Sequence, residues 1–347
     1  MRENRLAAVD RGMRIGEFRP RRYLRNGHLM TITGNYIPRE HKLPAEEQWF
    51  VEVEPAAADR RSTLVRCDCE WQPPNVRRDR MTLVLVHGLE GSSRSQYILG
   101  TATRAWAAGC NVVRMNMRSC GGSDELSPGI YHSGRSEDVA AVVAGLAREH
   151  GLGSIALVGY SMGGNLVLKY AGEAGSASPP ELKAVVGVSP LMDLAPSSKA
   201  LHKPSNRLYE WKFLRGMLRR FRRKVMLFPK LYSLDGLDEI RSMRDFDHNV
   251  VARYGGFADA DDYYQTVASS RVAANLAVPT LIIHALDDPF IRMLPSTRET
   301  LLGNQQVTFI ETQHGGHCAF LSHEQGNDRH WAEKTLVNWL LSLGEAK

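Results

Sequence analysis

The residues best suited to covalent chemistry lie in Gly159-Tyr160-Ser161-Met162-Gly163, a G-x-S-x-G pattern set between an apolar run and a helical one. A serine hydroxyl is raised above a sheet at a strand-to-helix turn only where its neighbours carry almost no side chain. Gly159, Gly163 and Gly164 are the residues such a turn needs. The same turn aims helix N–H groups at the point where a negative oxygen would form. Ser161 is therefore a candidate nucleophile for acyl transfer. Small residues gather in many strand–helix turns, so the assignment depends on partners elsewhere in the chain.

Three further segments supply those partners. Upstream, Met81 to Val86 reads as a buried strand and runs into His87-Gly88-Leu89-Glu90-Gly91, a turn able to expose backbone N–H groups. Hydrolases with this arrangement take half of their oxyanion hole from such a loop, so the Leu89 and Met162 N–H groups form the expected donor pair. Downstream, the β-rich run Pro279 to Ala285 ends in Leu286-Asp287-Asp288-Pro289, and after a short strand from Gln306 to Ile310 comes the loop His314-Gly315-Gly316-His317. The chain order Ser, Asp, His, each residue just past its own strand, is that of an α/β-hydrolase triad. Taken singly, Asp288 before a proline is an ordinary turn former and His317 an ordinary loop histidine.

These segments also resemble a known family. The runs HGLEGSSRSQY, MRSCGGSD, YHSG, GYSMGGN, GFADADDYY, IIHALDDPF and HGGHCAF, in that order, resemble the YheT-like hydrolases, bacterial proteins related to plant embryogenesis-associated hydrolases and mammalian abhydrolase-domain lipases. The similarity extends from RNGHLMTI to the last helix. It implies an α/β-hydrolase fold and a serine esterase or lipase activity, with Ser161, Asp288 and His317 in the family's triad positions. The natural substrate is not implied.

The acid of such a site usually stands three residues after the small residue that ends its strand, which from Ala285 gives Asp288, with Asp287 the alternative. Two adjacent carboxylates point in different directions and repel, so one of them holds the histidine. His317 follows two glycines, as in the family, and His314 is left a structural place on the loop. The expected mechanism is ester cleavage through an acyl-serine, with His317 as base, Asp288 orienting it, and no metal or organic cofactor. The same triad could also serve a thioester, an amide or an acyl transfer, or survive in a non-catalytic lipid-binding protein. A base of this kind predicts activity that rises with pH near neutrality.

The elements that must position these residues follow the same order. Gln48 to Val53 and Ser62 to Cys67 suit an antiparallel pair, and strands near Leu83, Val112, Leu157, Val186, Ile282 and Phe309 alternate with helical segments. This predicts an α/β class chain: a mostly parallel twisted sheet flanked by helices. Residues 1–47 read as an arginine-rich lead, 48–190 and 276–347 as the α/β-hydrolase core, and 191–275 as an insertion too long for a loop, expected to form a helical cap over the site.

Within that insertion Trp211, Leu214, Leu218, Phe221 and Val225 recur at helical spacing, while Lys212, Arg215, Arg219, Arg220, Arg222, Arg223 and Lys224 cover the rest. A cap helix needs such an apolar stripe; weak docking on an anionic membrane is the other use of one. A net charge of +6 and a pI of about 9.1 are compatible with nucleic acid, but no motif for it is present, so the expected partner is a small, lipophilic ester. With 347 residues and 43% hydrophobic content the chain can bury a large core, and no apolar run reaches membrane-spanning length. The start shows no apolar segment behind its charges, which makes the cytoplasm the expected location. Five cysteines in no metal-ligand spacing read as free thiols, and His323 to Asp328, an H-x-x-x-x-D spacing found in acyl transfer, reads as a helix-cap pair.

Overall fold

The computed structural model describes residues 16–37, 39–57 and 61–345. Eight strands form one sheet in the order β1-β2-β4-β3-β5-β6-β7-β8. β1 (Glu47–Glu54) and β2 (Thr63–Glu70) pair antiparallel, and β2 is antiparallel to β4 (Asn111–Met115). From β4 onward, β3 (Thr82–Val86), β5 (Ile155–Tyr160), β6 (Leu182–Val188), β7 (Thr280–Ala285) and β8 (Val307–Thr312) are all parallel. The expected antiparallel pair and all six later strands are thus present, with ends that differ from expectation by up to three residues.

Alternation along β3 shows why these strands are apolar throughout. Leu83 and Leu85 enter one core with Ile98 and Ala102 of α2 (Gln96–Ala107) and Leu336 and Leu340 of α11 (Trp331–Glu345). Val84 and Val86 enter the other, with Val139 and Val142 of α3 (Ser136–His150) and Leu166 of α4 (Met162–Ala174). A parallel strand covered on both faces has no polar side, so every residue of β3 is buried.

The strand order reverses at β3, which lies between β4 and β5. At such a switch point the connections leave toward opposite faces and open a crevice past the strands' C-terminal ends. The His87 loop after β3 and Ser161 after β5 both stand there.

The lead is not merely polar chain: it contains a helix, α1 (Gly27–Tyr36), capped by the Asn26 side chain accepting from Leu29 N at 3.1 Å. Between β6 and β7 the chain forms α5 (Leu194–Leu201), α6 (Arg207–Leu227), α7 (Met243–Phe246), a π-helical stretch Asp247–Ala252, α8 (Arg253–Gly255) and α9 (Ala260–Val267). One more helix, α10 (Pro295–Gly303), precedes β8.

α6 buries Leu214, Met217 and Phe221 and leaves Trp211 at the surface, 55% exposed. Two of its basic residues depart from the expected solvated face. Lys224 is buried, and its ammonium donates to Ser119 Oγ at 2.6 Å, to Gly129 O at 3.0 Å and to Ser127 O. Arg220 donates to Glu90 Oε1 at 2.9 Å and to Ser119 O. Long basic side chains reach past an apolar stripe to carbonyls that a turn leaves unpaired.

Candidate active site

Ser161 occupies the turn between β5 and α4 with φ 54° and ψ −117°, a conformation costly for any residue with a side chain. Its N–H donates to Val188 O at 2.9 Å, and its carbonyl accepts from Leu191 N and Asn165 N, both at 3.1 Å, so the main chain on either side holds the strain. The neighbouring glycines are demanded by contact. A Cβ on Gly159 would collide with the Gly163 carbonyl, and one on Gly163 with the carbonyls of Val86 and His87.

The loop after β3 is locked at three points. His87 bridges Gly88 O, 2.8 Å from its Nδ1, and Met117 N, 3.2 Å from its Nε2. Burial lowers its pKa to about 4, so the ring is neutral, with Nδ1 donating and Nε2 accepting. Tyr97 Oη accepts from Gly88 N at 3.0 Å, and Tyr131 Oη accepts from Glu90 N at 3.1 Å. Leu89 N, between them, has no acceptor among the described residues, and neither has Met162 N. Leu89, Met162 and Ser161, the two residues expected to supply the donors and the candidate nucleophile, line one cavity.

His317 and Asp288 are in direct contact. Nδ1 of His317 lies 2.8 Å from Asp288 Oδ2, while Asp288 Oδ1 accepts from Phe290 N at 3.1 Å and Ile291 N at 2.9 Å. Asp288 is buried, and the Phe290 ring packs on the imidazole with centroids 4.4 Å apart. Asp287 points elsewhere: its Oδ1 accepts from Gly316 N at 2.9 Å and its Oδ2 lies 3.3 Å from His314 Nδ1, bracing the base of the loop. Burial raises the Asp287 pKa.

Nε2 of His317 lies 3.7 Å from Cys318 Sγ. Burial disfavours the imidazolium, but the Cys318 sulfur and the Asp288 carboxylate outweigh it, so the His317 pKa moves upward. Ser161 Oγ has no hydrogen-bond partner among the described residues. The two halves of the site nonetheless share an anchor, because Val188 O accepts from Ser161 N and lies 3.7 Å from Cys318 Sγ.

Two supports were not foreseen. Thr31 of α1 accepts the His317 N–H on its Oγ1 at 2.8 Å, and a Cβ on Gly27 would run into the Asp287 carbonyl. Arg220 of α6 grips Glu90, next to Leu89, so the insertion also steadies the loop that carries Leu89. The spacing from His323 to Asp328 brings no pair together: His323 Nδ1 faces Arg19 O at 3.3 Å, and Asp328 pairs with Arg104 and Lys334.

The α/β-hydrolase fold model matches residues 82–324, which spans β3 through the His317 loop. The chain belongs to the α/β-hydrolase family. Within it the chain is 33% identical to "Putative esterase YheT" of Escherichia coli (strain K12), over 95% of both chains. It is 31% identical to the mouse (Mus musculus) protein named Phospholipase ABHD3, over 70% of this chain and 59% of that one. Among solved structures, 2,6-dihydroxy-pseudo-oxynicotine hydrolase has a similar fold, with a TM-score of 0.54 at 14% identity over 91% of this hydrolase and 71% of that chain. The YheT-like membership that the motifs suggested is thereby shown, and with it the fold.

Proposed function

We propose that this hydrolase cleaves carboxylic esters through an acyl-enzyme, with Ser161 as nucleophile, His317 as base and Asp288 as the residue that orients the imidazole. The observation that carries this is one cavity lined by a serine in a strained elbow and by Leu89 and Met162, whose N–H groups have no acceptor among the described residues. Unpaired N–H groups are costly inside a protein, and an oxyanion is the species that repays them. The esterase, phospholipase and lipase names of relatives agree with an ester substrate.

In this mechanism the imidazole turns its Nε2 from Cys318 Sγ to the Ser161 hydroxyl and takes its proton as Oγ attacks the ester carbonyl. Asp288 fixes the Nδ1–H tautomer and stabilises the cation that forms. The tetrahedral oxygen is held by the N–H groups of Leu89 and Met162. The protonated His317 then gives its proton to the leaving alcohol, and water activated by the same ring releases the acid. Phe213 and Phe290 in the cavity wall favour a lipophilic group there. α6 serves as a roof in this reading, since its Leu214, Met217 and Phe221 are buried and its Phe213 lines the cavity.

A fluorophosphonate probe tests the assignment by intact-mass spectrometry. The wild-type chain is expected to gain one adduct, located at Ser161, and Ser161→Ala to gain none and to lose p-nitrophenyl ester hydrolysis. A folded wild-type chain left unlabelled, or labelled at another residue, would overturn it.

A further inference from the structure

The cavity at Ser161 is mostly apolar, walled by Leu89, Met162, Leu191, Leu194, Phe213 and Phe290, but the insertion contributes a polar stretch to it. Asp247 Oδ2 accepts from Tyr264 Oη at 2.6 Å, and Tyr264 Oη lies 3.0 Å from Ser198 Oγ. All three residues line the same cavity as the candidate nucleophile. Asp247 also opens the π-helical stretch Asp247–Ala252, a wide turn of a kind that recurs at functional sites.

A carboxyl group among apolar side chains is costly, and burial pushes that of Asp247 up to about 7, with the Tyr264 hydrogen bond and the Arg244 guanidinium opposing. Arg244 is itself paired with Asp261 at 2.7 Å, on the outside. A cavity meant only for alkyl chains gains nothing from this arrangement.

The directions of the hydrogen bonds define what it lacks. Tyr264 has one hydroxyl proton, given to Asp247, so its oxygen accepts from Ser198. Among the described residues no group donates to Asp247 Oδ1. With Asp247 ionised, the cluster therefore offers only acceptors to the cavity: the second carboxyl oxygen and the free lone pairs of Ser198 Oγ. The missing partner is a donor. A hydroxyl supplies one without carrying charge into an apolar space, whereas an ammonium must first lose its hydration.

We propose that Asp247, Tyr264 and Ser198 form a subsite that selects esters carrying a hydroxyl group on the acyl portion held in the cavity. The proposal rests on the ester-hydrolase reading above. It makes Asp247 a specificity-determining residue: it touches the distal part of the substrate and no reacting atom.

The test, run about one to two pH units above the Asp247 value of about 7 so that the carboxylate is ionised, compares medium-chain p-nitrophenyl ω-hydroxyalkanoates with their ω-methoxy counterparts, which match them in reach but cannot donate. In the wild-type chain kcat/KM is expected to favour the hydroxy ester by on the order of tenfold, the cost of leaving one buried acceptor unpaired. Asp247→Asn keeps the shape and turns an amide N–H toward the cavity, so the ratio should fall to near one or invert. A second measurement needs no variant and no turnover: a medium-chain primary alcohol should raise the Tm of the wild-type chain more than the methyl ether of equal length. A wild-type ratio near one, a ratio unmoved by Asp247→Asn, or equal Tm shifts would overturn the subsite. If neither ester is hydrolysed while the alcohol is still preferred, the hydrolase reading falls and not the polarity of the cavity.

Discussion

Thr31 Oγ1 accepts the backbone N–H of His317 at 2.8 Å, so a helix from the start of the chain holds the loop that carries the candidate base. The same hydroxyl donates to Gly27 O at 2.7 Å, which fixes its orientation. Thr31→Val keeps the shape and removes the acceptor, leaving a part-buried N–H unpaired at a cost of about 1–3 kcal/mol. The loop should loosen: kcat for a p-nitrophenyl ester is expected to fall about tenfold or more with KM little changed, and Tm to drop by a few degrees. Thr31→Ser, which retains the hydroxyl, should restore most of both. Steady-state kinetics with parallel thermal denaturation would check this, and wild-type kcat in the valine variant would refute it.

The adjacent carboxylates give a contrast between variants that differ by a single position. Asp288 touches the imidazole of His317, whereas Asp287 touches His314 and Gly316 N. Asp288→Asn presents an amide to Nδ1 and favours the wrong tautomer, so kcat should fall by about 10⁴. Asp287→Asn keeps an oxygen for Gly316 N, and its effect should stay within about tenfold. Reversed effects would transfer the orienting role to Asp287.

The pH profile follows from the charges around His317. The ring must be neutral to act as base, yet the Cys318 sulfur and the Asp288 carboxylate move its pKa upward against burial. The rising limb of kcat/KM is therefore expected above the free imidazole value of about 6.5, further into alkali than an ordinary histidine would give. Cys318→Ala removes the sulfur that faces Nε2 and should shift the limb to lower pH without abolishing turnover. A limb at or below 6.5 in the wild-type chain that the variant leaves in place would contradict this.

The strands and the elbow were legible because their signals are local: an apolar run of the right length, then glycines where a Cβ has no room. The order of Ser161, Asp288 and His317 was legible because each follows its own strand. What escaped were contacts between distant segments. Nothing near Thr31 signals that it meets His317, and the arginine-rich residues around α1 read as a solvated lead. Arg220 and Lys224 stand in a run of basic residues on α6, and only the packed helix separates those two, bound to the loops around Ser119, from neighbours in water. Asp247 belongs to the same class, since its meaning depends on the cavity that Tyr264 and Ser198 share with it.

Acid stability provides a further test, which turns on histidines away from the candidate triad. Burial lowers the pKa of His87 and of His284 to about 4, and each ring is neutral in the fold. In the unfolded chain both titrate near 6.5. Between pH 6.5 and 4 the unfolded chain thus binds protons that the folded chain does not, and stability falls with pH by up to about 1.4 kcal/mol per unit for each ring. His317 has the opposite sign: its pKa is raised, so its contribution is already complete below 6.5 and is lost only as pH rises through the folded value. It cannot offset the loss in acid, whereas Asp247, whose carboxyl is pushed up to about 7, takes up a proton in the fold over the same range and offsets about one of the two rings, so the net slope keeps its sign. Tm is therefore expected to decline from pH 6.5 toward pH 4. His87→Gln, whose amide can replace one of the two ring contacts at Gly88 O and Met117 N, should lower Tm at pH 7 and flatten the decline. Calorimetric scans across that range would decide the matter, and an unchanged slope in the glutamine variant would show that His87 is not among the groups responsible.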